Sequence, residues 1–421
     1  MLDEGMTKTT LSPLLGAAFP PLALPAEVAP LMLDLQKAIG GEIAPRAVEN
    51  DATGRYPTES IAALKRSGFL RAILPKSLGG LGISHRLSME AQLRLAIADS
   101  SVAQIYKVHD EIVREILTYC PEGLKPRLAR AIVDEGAIIG LAVAESGRTV
   151  DAPMTTTALA RPDGGFVVNG RKIYTTAAAE ADYIATWAFN PQAPGASENA
   201  LAGMQLNLIP PATEGVTVHR DWDAIGQRAT DSGTITFDQV QTDPLWNATI
   251  PGQFSPPHAS LRYQVGFCAI MIGTAIGALR QAADFVPSKS RPWPSAKVAN
   301  AADDPLTQRS TGELVADLVA AYTLMLSAAD LLDAYERGDI DRTGLAIPVY
   351  AAKVAAHKAS LAAASEIYTL MGTRSVARAN GFDRYWRNIR VLALHDPVNW
   401  KQAEIGRHVL TGWQPEPGLY Q

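Results

Sequence analysis

The sequence predicts an α+β fold, mainly α, in which a small β domain sits between two helical parts. Three observations predict it. Apolar residues recur at helical spacing from Ala26 to about Gly136. Strict alternation and hairpin signals replace that pattern from Ala137 to about Pro251. Long alanine-rich amphipathic runs then fill the stretch from about Ser260 to Gly412. The implied division is an N-terminal tail over 1–26, a helical domain over 27–136, a β-barrel or sandwich over 137–251 and a helical bundle with its tail over 252–421.

In the first helical part, "PTESIAALKRSGF" sets Ile61, Leu64 and Phe69 on one face, with Thr58 placed to cap and Gly68 to stop the helix. "LPKSLGGLGIS" reads as a glycine-rich loop. The helical run that follows carries a break signal at Asp99–Ser101. In the middle part, "GFVVNGRKIYTTA" alternates, and Asp163-Gly164 and Asn169-Gly170 read as hairpin turns. "ADYIATWAF", "AGMQLNLIP", "VTVHRDW" and "SGTITFDQV" are further strands, expected to pair antiparallel. In the last part, three long helices are followed by a final one that starts at Pro397. Alanine favours helix and lets neighbouring helices approach closely. The segment "PSKSRPWPSAKVANAADDP" is too long for a simple connection.

Composition narrows the function classes. The 421 residues are 47% hydrophobic and 19% charged, which is globular, and the net charge of −5 with no basic block longer than a pair argues against nucleic acid. Cys120 and Cys268 stand far apart, in no metal-ligand spacing, and read as buried apolar residues in a reducing compartment. The N-terminus lacks the basic and unbroken apolar regions of a signal peptide, and no transmembrane helix is expected. The default location is the cytoplasm. There is no GxGxxG in a βαβ setting and no Walker motif.

Several segments resemble the acyl-CoA dehydrogenase superfamily: "GLAVAESG", "DGGFVVNGRKIYTTAAAEADYIATWA" and "FDRYWRNIR". Within it, "DWDAIGQRATDSGTITFDQV", "SRPWPSAKVANAADDPLTQRSTGEL" and "YWRNIRVLALHDPVNWKQAEIGRHVLTG" are most similar to flavin-dependent monooxygenases of the dibenzothiophene monooxygenase and sulfur acquisition oxidoreductase type. The likeness runs from about residue 27 to 412. It implies the acyl-CoA dehydrogenase fold, with a C-terminal four-helix bundle. It also implies a two-component enzyme that inserts oxygen from O2 into a small apolar sulfur- or nitrogen-containing molecule, through a C4a-(hydro)peroxyflavin. With no nicotinamide site visible, a separate NAD(P)H:flavin reductase would supply the reduced flavin.

The chemistry separates this reading from its alternatives. An acyl-CoA dehydrogenase needs a carboxylate aimed at the flavin, and that family places a Glu near the C-terminus. Here the matching stretch is "LALHDPVNW", with no Glu before Glu404. Asp396 is the nearest acid, and Asp396-Pro397 reads as an N-cap followed by a first helical residue. A thioester dehydrogenase using Asp396, or a non-catalytic flavin-binding protein, are the competing readings. By spacing alone His395 reads first as a partly buried histidine satisfied by backbone, and second as a ligand group. The resemblance places it against the flavin or the oxygen intermediate, which must be hydrogen-bonded and kept from water.

The resemblance assigns further residues. His109 would lie on the helix facing the pocket, and Thr176 would bond the flavin's N5/O4 edge. The backbone of Leu141, Ala142, Val143, Ala144, Glu145 and Ser146 would meet the ring, together with Tyr174, Thr175 and Trp222. Arg291 would reach the flavin phosphate of a neighbouring subunit, which implies a homotetramer built as a dimer of dimers. Thr373 and Arg374 stand where FAD enzymes of the family usually carry paired glycines. That departure favours FMN over FAD, and an arginine suits a phosphate.

Overall fold

The computed structural model describes residues 13–147, 152–250, 252 and 255–418. The N-terminal part contains α1 (Pro13–Ala18), α2 (Ala29–Ala38), α3 (Ala47–Thr53), α4 (Thr58–Arg66), α5 (His85–Ala98), α6 (Ser100–Tyr119) and α7 (Leu124–Glu135). The segment read as a tail docks: Leu15 and Phe19 are buried, and Phe19 meets Tyr322 edge to face at 5.9 Å. Asp99 makes the expected break, its carboxylate accepting from the Ser101 and Val102 amides to cap α6. Thr58 does not cap. It is the first residue of α4, and its hydroxyl donates to Glu180 Oε2 at 2.7 Å, tying this part to the β domain.

The β domain is a curled seven-stranded sheet of β1 (Ile139–Ala142), β2 (Thr157–Ala160), β3 (Phe166–Lys172), β4 (Tyr183–Phe189), β5 (Met204–Ile209), β6 (Val216–Val218) and β7 (Ile235–Gln241). The order is β1-β4-β2-β3-β7-β6, with β5 on β4. Ala142, Ala158, Phe166, Val168, Ile184 and Phe237 pack inside the curl. Two expectations are corrected. β1 pairs with β4 in parallel, so the sheet is mixed. Asn169-Gly170 is no turn but lies within β3, at a register shift against β7. Gly170 has φ +148°, and a Cβ there would come 2.6 Å from Thr156. Its glycine therefore serves close strand packing rather than chain reversal. Asp163-Gly164 does form the β2–β3 turn, closed by the Arg161 amide donating to the Gly165 carbonyl.

The C-terminal part holds α8 (Ala259–Lys289), α9 (Pro305–Glu336), α10 (Arg342–Met371), α11 (Asp383–Ala393) and α12 (Val398–Thr411). α10 packs along both α8 and α9, and α5 packs along α8. Gly273 and Gly277 of α8 allow that approach. A Cβ on either would fall 2.4–2.5 Å from the Leu93 or Ile97 carbonyl oxygen of α5. α8 and α9 are each long and apolar enough to cross a bilayer, contrary to the expectation of no such helix. Most of the apolar window of α8 is buried within the protein, whereas less than half of that of α9 is. The loop between α8 and α9 carries two short 3-10 turns.

The loop between β6 and β7 ties the three parts together. The Gln227 amide donates to Asn388 Oδ1 of α11 at 2.6 Å, and its side chain donates to Ser100 at the start of α6.

Candidate functional site

The first wall belongs to the β domain. Leu141 and Ala142 end β1, and Val143 to Ser146 continue beyond it. The segment from Tyr174 to Thr176 leaves β3 and lies beside β1, with the Leu141 amide donating to the Thr176 carbonyl at 3.1 Å. Tyr174 is held at φ +55°, well exposed, and meets Trp222 edge to face at 6.0 Å. Trp222 Nε1 donates to the Gln227 carbonyl. The Thr176 hydroxyl lies 3.0 Å from Ser232 Oγ, which lies 2.7 Å from Thr230 Oγ1. This is a short hydroxyl relay at the mouth of the sheet. Thr175 faces away, its hydroxyl donating to the Gly233 carbonyl at 2.8 Å, so its side chain serves the fold.

Glu145 braces this wall. Its carboxylate accepts from the Thr155 and Thr156 amides at 2.6 and 2.9 Å and from Lys172 Nζ at 2.7 Å. Burial alone would raise its pKa, but Lys172 and the donated hydrogen bonds hold it down at about 2. It is a fixed anion that shapes the turn rather than a proton carrier.

A second group of candidate residues belongs to the bundle. His395 follows α11, its ring tilted at 41° against Phe267 of α8 with centroids 4.3 Å apart. The opposing cations are Lys107 of α6, 3.7 Å from the Phe267 centroid, and Lys353 of α10, 4.9 Å from it. Lys107 pairs with Glu111 at 2.7 Å. Lys353 Nζ lies 3.0 Å from Asp396 Oδ1, an ion pair by distance without hydrogen-bond alignment. The His395 side chain is 48% accessible, yet desolvation is the main cause lowering its pKa. The ring is surrounded closely by protein on one side and remains open on the other. Lys107 and Lys353 lower it further, against the opposing pull of Asp396. The imidazole is therefore neutral at pH 7.

Asp396 departs from its sequence reading. Pro397, not Asp396, occupies the position before α12, and no side chain caps that helix. The carboxylate is instead buried against Lys353. Burial would raise its pKa, but His395 and Lys353 outweigh that and push it well below the carboxylate range.

His109 is the second correction. It is fully buried on α6, with Nδ1 accepting from the Ile139 amide at 3.2 Å and Nε2 directed at the Leu70 carbonyl at 3.4 Å. Burial lowers its pKa to about 4. Both nitrogens join α6 to β1 and to the turn before α5, so a catalytic part for it is not carried forward.

Two cations stand at the surface. Arg291 is exposed in the loop after α8. Arg374 is exposed beside Thr373, one nitrogen donating at 3.0 Å to the Lys289 carbonyl that ends α8. Both arginines thus lie near the C-terminal end of α8.

Elsewhere, His85, Asp333 and Glu336 come close enough to suggest a metal. The hydrogen bonding explains the cluster without one. His85 Nε2 and His258 Nε2 each lie 2.9 Å from Glu336 Oε1, and the His85 amide donates to Asp333. The Nδ1 atoms of both rings lack a partner, whereas a metal-bound imidazole normally donates its other N–H.

The donor set suits a flavin. Backbone and hydroxyl groups on the β wall match the heteroatom edge of an isoalloxazine, Tyr174 and Trp222 offer aromatic surface, and the outlying arginines suit a phosphate. The sequence reading missed Ser232, Phe267, Lys107 and Lys353. Lys353 did leave a signal, a lone cation on an apolar stripe with Ala346, Val349, Ala352 and Ala356.

Comparison with known proteins agrees with this layout. Acyl-CoA dehydrogenase family models match in three pieces: the N-terminal domain over residues 34–135, the middle domain over 140–240 and the C-terminal domain over 265–400. The chain is 33% identical over 385 residues to the dibenzothiophene monooxygenase of Mycolicibacterium goodii, covering 88% of this chain and 92% of that one. It is 30% identical over 402 residues to the "Probable FMNH2-dependent monooxygenase SfnC" of Pseudomonas putida, covering 92% and 97%. Among solved structures, FMN-bound TdsC from Paenibacillus sp. A11-2 superposes with a TM-score of 0.86 at 31% identity, covering 93% of this chain and 100% of that one.

Proposed function

The chain belongs to the acyl-CoA dehydrogenase family, in its flavin-dependent monooxygenase branch, and from that premise we propose that it is a two-component enzyme. It is an FMN-dependent monooxygenase acting on sulfur compounds. In this reading a separate NAD(P)H:flavin reductase delivers reduced FMN, and the substrate is a small apolar molecule whose sulfur or nitrogen takes one atom of O2. The enzyme works in the cytoplasm as a homotetramer. An oligomer is supported by the exposed apolar outer side of α9 and by Arg291, exposed at one edge, where it suits the FMN phosphate of a neighbour.

The observation that carries the reading is the Lys353–Asp396 pair. A thioester dehydrogenase needs a carboxylate able to accept a proton at neutral pH. Asp396, the only acid in "LALHDPVNW", is buried, paired at 3.0 Å with a lysine and far too weak a base. What this segment offers the cleft is the neutral imidazole of His395.

When bound, reduced FMN supplies the electrons that activate O2 at its C4a carbon. The chain's residues do the rest. Leu141 to Ser146, Tyr174 and Trp222 hold the ring, and Thr176, backed by Ser232, bonds its polar edge. Arg291, Thr373 and Arg374 take the phosphate end. His395, beside Phe267, accepts or donates a hydrogen bond where oxygen is bound.

The test is turnover of dibenzothiophene and simpler sulfides and sulfinates with FMN, NADH and a generic flavin reductase. Formation of S-oxygenated product is expected, with no reduction of an artificial acceptor by acyl-CoA thioesters. Thioester oxidation without oxygenation would overturn the proposal.

A further inference from the structure

We propose that the buried Lys353–Asp396 pair is a positioning device for His395, in which Asp396 holds the Nδ1 side of the imidazole and Lys353 holds Asp396 in place. The inference rests on the reading above, in which His395 serves the flavin site.

The geometry is specific. Lys353 is closed to solvent on α10, and Asp396 is nearly so. Burying such a pair is unfavourable compared with two apolar side chains, so its presence calls for a role. Capping is excluded, because α12 starts without help from Asp396. Neither Asp396 oxygen makes an aligned hydrogen bond, so the carboxylate retains accepting capacity while it faces Lys353. His395 Nδ1 lies 3.8 Å from Asp396 Oδ1, beyond hydrogen-bond distance. Closing that gap by about 1 Å makes an Nδ1–H donor to the carboxylate. That tautomer turns the Nε2 lone pair away from Asp396, as an acceptor for an O–H or N–H group.

The Phe267 ring meets the imidazole at a tilt of 41°, which limits the ring without fixing its plane, and Asp396 is the carboxylate beside its Nδ1. The charged and titratable groups packed about this place are Lys107 and Glu111 from α6, Arg262 from α8, Lys353 and His357 from α10, and Lys401 and Glu404 from α12. Lys401 and Glu404 pair with each other at 3.3 Å, and Arg262 turns toward Glu115 at 3.4 Å. Asp396, Lys107 and Lys353 each act on the His395 charge.

The test uses the full-length, flavin-free protein labelled with 15N-histidine, with the His395 resonances assigned by their loss in His395→Gln. The wild-type ring is expected as the Nδ1–H tautomer, titrating below an unperturbed histidine. Asp396→Asn should lower the titration midpoint, and Lys353→Met should raise it, each by about half a pH unit or more. Lys353→Met strands a buried carboxylate and can fail to fold. The double variant Lys353→Met/Asp396→Asn removes both charges and keeps the volumes. It should fold, titrate near wild type and lose the tautomer preference. An unchanged midpoint and tautomer in Asp396→Asn and in the double variant would overturn the inference. Its failure is distinct from failure of the functional reading, which falls if His395→Ala keeps full coupling of oxygen use to product, whatever the titrations give.

Discussion

Lys172 Nζ lies 2.7 Å from Glu145 Oε1, and both side chains are shut off from solvent. This ion pair sits directly behind the backbone expected to meet the flavin ring. Replacing the cation alone leaves a buried carboxylate, so Lys172→Met should cost about 3–5 kcal/mol in urea unfolding. Apo-protein that still folds should retain FMN more weakly, because the turn after β1 loses its brace. The pH dependence follows from the same pair. The folded carboxyl is held at about 2 against 4.5 ordinarily, so its contribution is present above pH 4.5 and is lost as pH falls toward 2. Lys172→Met should flatten that part of the stability–pH curve.

His109 predicts a different pattern. Its Nδ1 satisfies the Ile139 amide, so His109→Ala leaves a buried donor unpaired as well as a cavity. We expect a loss of about 2–4 kcal/mol by denaturation. The folded pKa near 4 lies below the ordinary 6.5, so the unfolded chain binds the extra proton between those values. Stability from this residue is complete above pH 6.5 and drains away as pH falls to 4. The ratio of product to oxygen consumed should be unchanged in the fraction that folds. A selective loss of coupling would restore His109 to the catalytic site.

These two residues show how far the sequence could be read. Periodicity reports which face of a segment is buried, so the helix–sheet–helix order and the break at Asp99–Ser101 were legible. It does not report register across a sheet, so the parallel β1–β4 pairing and the bulge at Gly170 were not. The same limit applied to the site. Asp396 before Pro397 fits local capping rules, but a buried lysine contributed by α10 overrides them from 43 positions away. His109 looked exposed to a pocket because its apolar neighbours fit a pocket wall and a core equally well. Lys107 and Phe267 come from separate helices, and only packing reveals that they enclose His395.

The junction of His85, His258 and Glu336 should behave as a hydrogen-bonded clasp. Glu336→Gln keeps one acceptor but removes the charge that both imidazoles face. Because Glu336 is partly open to water, we expect only about 1–2 kcal/mol, or a few degrees in Tm. Zinc or EDTA should leave the Tm of the wild-type protein unchanged. A rise on adding zinc, lost in Glu336→Gln, would show that the cluster is a metal site.

Assembly is checked separately from chemistry. Light scattering at micromolar concentration should give a tetramer, and a monomer would remove the case for a shared site. Arg291→Ala should leave assembly intact while weakening FMN binding by about 10–100-fold, the scale of one lost hydrogen bond to a charged group. Unchanged affinity in an intact tetramer would release Arg291 from the phosphate.

His395→Ala is expected to separate oxygen use from oxygenation. Removing the imidazole should cost the fold little, because α12 begins after Pro397 and takes no cap from this residue. The tilted contact with Phe267 is lost, but the side chain is already about half exposed. FMN binding should therefore stay within a few-fold of wild type. The polar partner at the oxygen position would be missing, and losing one such preorganised hydrogen bond is worth about 2.7–4 kcal/mol, or a hundredfold or more in productive rate. Reduced flavin would still consume oxygen, so hydrogen peroxide should rise as product falls. His395→Gln, which restores a hydrogen-bonding group without the ring, should recover part of the coupling. Asp396→Asn should be intermediate: it keeps the imidazole but loosens its orientation, whereas a catalytic base would lose nearly all activity. If His395→Ala unfolds the protein or keeps full coupling, the histidine is a packing residue and the oxygen-binding assignment fails.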